Sequence, residues 1–128
     1  MKKLTIALFF VLPTAQAAAL DCNNANTQLD MNQCAVQEYK KVDGELNQLY
    51  QDVVKRVVIE EHKALLKSAQ RKWIAYRDAD CEFQTFSTTG GSVHGMVYSQ
   101  CLTEKTAERV EEFKTMLRCE EGDLSCPL

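Results

Sequence analysis

The chain has 128 residues, with 15 Lys and Arg against 18 Asp and Glu and a formal net charge of −3 at neutral pH. That length holds one domain and hardly two, and the acidic balance argues against nucleic acid or an anionic membrane surface as partner. It suits encounter with a basic protein instead, because opposite net charge speeds association.

The first residues point to export. Met1-Lys2-Lys3 is a short basic start, and Leu4 to Leu12 is apolar apart from Thr5. Pro13 breaks that run, and Ala15-Gln16-Ala17-Ala18-Ala19 offers small-residue cleavage sites. This is the layout of a secretory signal peptide over residues 1–19, cleaved after Ala17 or Ala19. The apolar run is too short to span a bilayer, which takes about 18 residues or more. Cleavage removes Lys2 and Lys3, leaving 13 basic residues against 18 acidic ones and a net charge of −5. The remaining segment, 20–128, reads as a single helical domain.

From Thr27 onward the apolar period is helical. Met31, Ala35, Val42, Leu46, Leu49, Val53 and Val57 step by three, four or seven residues, with Tyr39 and Tyr50 beside them. Asn26 or Thr27 can cap the start, and Asp30 favours the positive end of the helix dipole. Asp43-Gly44 interrupts the pattern, but a helix-interior Gly costs only about 1 kcal/mol. The period continues in phase across it, which predicts one long helix to about Ile59.

A second periodic segment runs from about Glu61 to Phe86, through Leu65 or Leu66, Ala69, Trp73, Tyr76, Asp80 and Phe83. Gly90-Gly91 within "STTGGSVHG" is a loop signal, and Ser92 can cap the next helix. The third segment carries Met96, Val97, Leu102, Thr106, Val110, Phe113 and Leu117 at helical spacing. Its tail, "CEEGDLSCPL", is polar and irregular. Three amphipathic helices on short connections predict an all-α fold, an antiparallel bundle of about three helices.

All six cysteines lie after the leader, and an even count in an exported chain reads as three disulfides. Six cysteines admit fifteen pairings. Cys81 lies nine residues before Gly90 and Cys101 ten after Gly91, so antiparallel helices leaving that turn bring them to similar height. Cys119 and Cys126 close a short loop after the last helix. Cys22 is then left to fasten the N-terminal segment onto Cys34.

The chain offers little chemistry. It lacks G-x-S-x-G, P-loop and H-E-x-x-H patterns. There is no C-x-x-C, and His62 and His94 have no Cys or carboxylate at ligand spacing, so no metal or cofactor is expected. Gly90-Gly91-Ser92 comes after a predicted helix rather than a strand, which disfavours a phosphate cradle. Glu38 and Asp80 fall near apolar stripes and are the one carboxylate pair to weigh as an acid/base site. An inter-helix ion pair with Arg77 or Arg109 is the favoured reading, since a buried lone charge is very costly. In "QRKWIAYRDADC" (70–81), Trp73 extends the apolar period, Arg77 can lie against its ring or pair with Asp80, and Cys81 is half a disulfide. No catalytic residue is assigned; Trp73, Arg77 and Asp80 read as a structural signature.

As a set, Cys22, "TQLDMNQC" (27–34), "ELNQLY" (45–50), "QRKWIAYRDADC" (70–81), "GGS" (90–92) and Cys101 resemble the LprI-type lysozyme inhibitor family of small secreted bacterial proteins. The resemblance covers nearly the whole chain after the leader. It implies a disulfide-linked helical fold in an exported, non-catalytic protein that inhibits lysozyme and so protects the cell wall. No contact residues carry over with it. The expected location is the periplasm, or beyond it by secretion. The alternative function is a periplasmic envelope or stress-related factor that binds proteins without inhibiting lysozyme.

Physical chemistry narrows how such an inhibitor would act. A lysozyme cleft holds two catalytic carboxylates, so a plug should present hydrogen-bond donors rather than another carboxylate. That disfavours "EEGDLS" (120–125) as the plug, though it suits a basic rim. The expected partner-binding loop is Ser87, Thr88, Thr89, Gly90, Gly91, Ser92 and His94, with hydroxyls, backbone N–H groups and an imidazole. A Cys81–Cys101 disulfide would hold its base rigid and lower the entropy cost of binding.

Overall fold

The computed structural model describes residues 19–120 and 122–128. The leader read at 1–19 lies outside them apart from Ala19. Three helices dominate: α1 over Gln28–Arg56, α2 over Glu60–Gln84 and α3 over His94–Leu117. Short 3-10 turns stand at Cys22–Asn24 and Phe86–Thr88, and there is no strand among the described residues.

The helix ends obey local chemistry. Thr27 caps α1, its hydroxyl accepting from the Asp30 N–H at 3.0 Å. Gly44 sits inside α1 with nothing within 4 Å of where its Cβ would be, and the helix runs through it as expected. The helix stops at Arg56 rather than Ile59. Val57, Val58 and Ile59 form a β-branched run, and the first and last of them are extended, at ψ 115° and 124°. Lys55 and Arg56 occupy the last turn of α1 and Glu60 and Glu61 the first of α2, so both dipole ends next to the corner are matched.

Cross-links fix the topology. Asn32 meets Met96, Tyr50 meets Phe113 and Arg56 reaches the Leu117 carbonyl, so α1 and α3 run parallel. Cys81 bonds Cys101, Arg77 meets Thr106 and Gln70 meets Arg109, so α2 runs antiparallel to α3. The bundle is therefore up, down, up. α1 and α3 approach closely along their length, whereas α2 lies further out. Its inward residues explain this: Gln70, Trp73 and Arg77 are long and hold its backbone away.

Leu46, Val53, Val57, Val110 and Phe113 form the buried core, with Val42, Leu49, Tyr50, Leu66, Trp73 and Leu128 packed against it. On α1 and α3 the predicted stripes face inward. On α2 the buried line is Leu66, Gln70, Trp73, Arg77 and Cys81, while Ala69, Tyr76 and Phe83 are exposed. The apolar period there marks an outer face adjoining the seam. All three expected disulfides form, with Cα–Cα distances of 5.6, 5.7 and 5.6 Å for Cys22–Cys34, Cys81–Cys101 and Cys119–Cys126.

Candidate functional site

The residues singled out in the sequence fall into two neighbouring groups, a charged seam and the loop beyond it. The seam centres on Arg77, only 5% exposed. Its Nε donates to Asp78 at 2.9 Å, and one terminal nitrogen donates to Asp43 at 3.4 Å and to the Thr106 hydroxyl at 3.3 Å. Its guanidinium lies 5.2 Å from the Trp73 ring centre and 5.4 Å from that of Tyr39. Arg109 lies 5.7 Å from the Trp73 ring centre and 4.7 Å from that of Phe113, bonded to Gln70 and Glu112. Trp73 thus has two cations near its ring, each held by its own acceptors. Burial would lower the Arg77 pKa, but hydrogen bonding to Asp78, then Tyr39 and the Asp78 and Asp43 charges, outweigh it and raise the pKa above its usual value.

Asp80 does not pair with Arg77 or Arg109. It sits one helical step off the buried line, where its carboxylate meets Lys105 of α3 at 2.5 Å and accepts from Gln84 at 2.8 Å. The Lys105 bond holds its pKa below the usual carboxylate value. Glu38 is exposed on α1 and joins no hydrogen bond or ion pair among the described residues. Asp80 is committed to Lys105 and Gln84, and no contact joins it to Glu38 as an acid/base pair would require.

Beyond Cys81 the chain turns through the 87–94 loop. The Thr85 hydroxyl, buried, donates to the Cys81 carbonyl at 2.7 Å, and the Thr88 hydroxyl donates to the Thr85 carbonyl at 2.7 Å. Thr88 also lies 2.9 Å from His94 Nδ1. The Thr88 proton is already directed at a carbonyl, so His94 must donate from Nδ1, which leaves Nε2 as an acceptor when the ring is neutral. Gly91 N–H donates to the Thr88 carbonyl at 3.0 Å, and Gly90 adopts φ 81°, a conformation open to glycine. Ser87, Thr89, Gly90, Gly91 and Ser92 are exposed, whereas Thr88 and His94 are half-buried and serve as the loop's internal brace.

Ser92 does not cap α3. The cap position is Val93, which has no side-chain acceptor. Asn32 of α1 supplies the missing partner: its Oδ1 accepts from Met96 N–H at 3.1 Å, and its Nδ2 donates to the Ser92 carbonyl at 2.9 Å. Gln28 donates to the same Oδ1 at 2.8 Å. Asn32, Asp43, Thr106 and Lys105 are the site residues the sequence reading missed. An Asn at a near-interior position of a helix was the available signal for the first of them. The loop also occupies the middle of a segment without Asp, Glu, Lys or Arg, from Phe83 to Thr103.

A family model described as lysozyme inhibitor LprI matches residues 21–113. The chain belongs to the LprI lysozyme inhibitor family. The matched span contains the seam, the loop, and the Cys22–Cys34 and Cys81–Cys101 bonds, while the Cys119–Cys126 staple lies beyond it. An uncharacterised protein of Rhizobium meliloti (strain 1021) is 38% identical over 120 residues, covering 84% of this chain and 86% of that protein. No solved structure matches the chain. Among the described residues there is no group of three potential metal ligands, no helix long and apolar enough to cross a membrane, and no buried side-chain polar atom without a partner.

Proposed function

We propose that the protein is an exported, non-catalytic inhibitor of lysozyme, and that the 87–92 loop enters or covers the enzyme's cleft. Its place of action is the periplasm, reached after loss of the leader. The observation that carries this reading is an exposed, uncharged loop whose shape is set before binding. Cys81–Cys101 ties its base, Asn32 holds its end to α1, and the Thr88–His94 contact braces its middle. Such a loop loses little freedom on binding, and it brings no carboxylate to a site that already holds two.

The other end of the molecule supplies the long-range attraction. Glu108, Glu111, Glu112, Glu120 and Asp123, with Arg118, surround an open depression near the α3 C-terminus; Glu111 and Glu112 pair with Lys114 and Arg109, which leaves an acidic excess about 35 Å from the loop along a 24-residue helix. That field steers a basic enzyme. The test is clearing of bacterial walls by lysozymes of several types, with the oxidised chain present over a salt series. Inhibition that weakens as salt rises is the expected result. Absence of inhibition at micromolar protein would favour the protein-binding factor without lysozyme inhibition, and clearing by the protein alone would make it a hydrolase.

A further inference from the structure

Outside the seam, α2 carries a second ordered face that the bundle leaves exposed, touched at Tyr76 by Lys105 of α3. Leu65, Ala69, Lys72, Tyr76, Ala79 and Phe83 succeed one another at spacings of four, three, four, three and four, the period of a helix-pairing seam. All six are exposed: Leu65 is 64%, Tyr76 60% and Phe83 80% accessible, and the other three share that class. A lone exposed Phe is ordinary, but five apolar or aromatic groups in phase over five turns, broken only by Lys72, are not.

The spacing reads the same in both directions, as antiparallel pairing of two identical helices requires. We propose that the face binds a second copy of the same chain, α2 against α2, antiparallel about a two-fold axis at the level of Ile74. In that register Leu65 meets Phe83 of the second copy, Ala69 meets Ala79, and Lys72 meets Tyr76. Every position of the stripe faces another, as an isologous contact requires. The alanines keep the interface thin on either side of the crossing, where Lys72 and Tyr76 meet. Lys72 meets the Tyr76 ring, which also has Lys105 of its own chain 5.5 Å from its centre, and within the stripe itself no like charges oppose each other.

Two further features fit. An open groove of about 370 Å³ lies beside Leu65 and Ala69, with Leu66 and Leu128 on its walls, where Phe83 of the second copy arrives. Past its first turn, which carries Glu60 and Glu61, the exposed charges of α2 are also divided along its length. Lys63, Lys67, Arg71 and Lys72 come first and Asp78, Asp80 and Glu82 last, with Arg77 buried among them. Antiparallel pairing brings these basic and acidic stretches together over distances that salt screens little, ~8 Å, whereas parallel pairing would set like against like. The helix balances five acidic and five basic residues, so it is a face on which two acidic molecules can meet without strong repulsion.

The test is sedimentation of the oxidised chain from micromolar to hundreds of micromolar. The expected result is a monomer–dimer equilibrium whose dissociation constant rises about tenfold or more in Ala79→Glu and in Phe83→Glu, with circular dichroism unchanged. Mixing Ala69→Cys with Ala79→Cys under oxidation should give a covalent dimer, and neither alone should. A monomer at all concentrations, a dimer indifferent to both glutamates, or equal cross-linking by each cysteine variant alone would overturn the proposal. Loss of lysozyme binding rather than self-association in Ala79→Glu would assign the face to the enzyme instead.

Discussion

Arg77 shows how one residue joins the three helices. It stands on α2, pairs with Asp43 of α1 and Thr106 of α3, and lies against Trp73 and Tyr39. Lysine carries the same charge but lacks the planar fork that reaches three acceptors at once. Arg77→Lys should therefore cost about 2 kcal/mol or more in urea unfolding, because Thr106 and the ring faces lose their partner. Asp80 makes a pH prediction. Its folded pKa is lowered, first by the Lys105 hydrogen bond, from the ordinary 3.8. The pair's contribution is thus complete above that value and is lost as pH falls through the lower, folded value. Melting temperature against pH should fall on the acid side, and Asp80→Asn should flatten that fall. An unchanged acid limb in the variant would show that Asp80 is not responsible. Both arrangements are only half legible in the sequence: charge near the apolar stripe predicts inter-helix pairs, but the partners depend on helix rotation, which composition does not encode.

At the scale of the element, α1 and α3 are readable because apolar side chains mark their inward faces, from Leu46 to Val57 and from Leu102 to Phe113. α2 is readable in extent but not in orientation. Its inward line alternates Gln70, Trp73, Arg77 and Cys81, and its outer face carries Tyr76 and Phe83, so hydrophobicity alone selects the wrong stripe. The α1–α2 corner escapes the pattern because Val57, Val58 and Ile59 continue the apolar period while their branched side chains favour extended backbone. Gly44 gives a direct test of α1. It lies in a helix with open space around the absent Cβ, so Gly44→Ala should raise stability by up to about 1 kcal/mol through helix propensity and reduced unfolded-state freedom. A loss of stability on thermal or urea melting would mean that the position is not regular helix.

For the whole molecule, the proposed function would separate two tasks along the bundle. The acidic end near Cys119 would attract a basic enzyme and the uncharged turn beyond Cys81 would contact it, with the charged seam between them holding α2 in register. The disulfide framework and the family are legible from cysteine spacing and the "QRKWIAYRDADC" motif. The bracing of the loop is not, since Asn32 is 60 residues from the Ser92 carbonyl it holds. The most direct test is inhibition of lysozyme by the oxidised chain and by its Ser92→Ala, His94→Ala double variant, with helicity tracked by circular dichroism. The double variant should keep its helix content and lose about tenfold or more of its inhibitory affinity, since it removes an exposed hydroxyl and the brace on Thr88. Equal inhibition by the two proteins at matched helicity would contradict the loop as the inhibitory element.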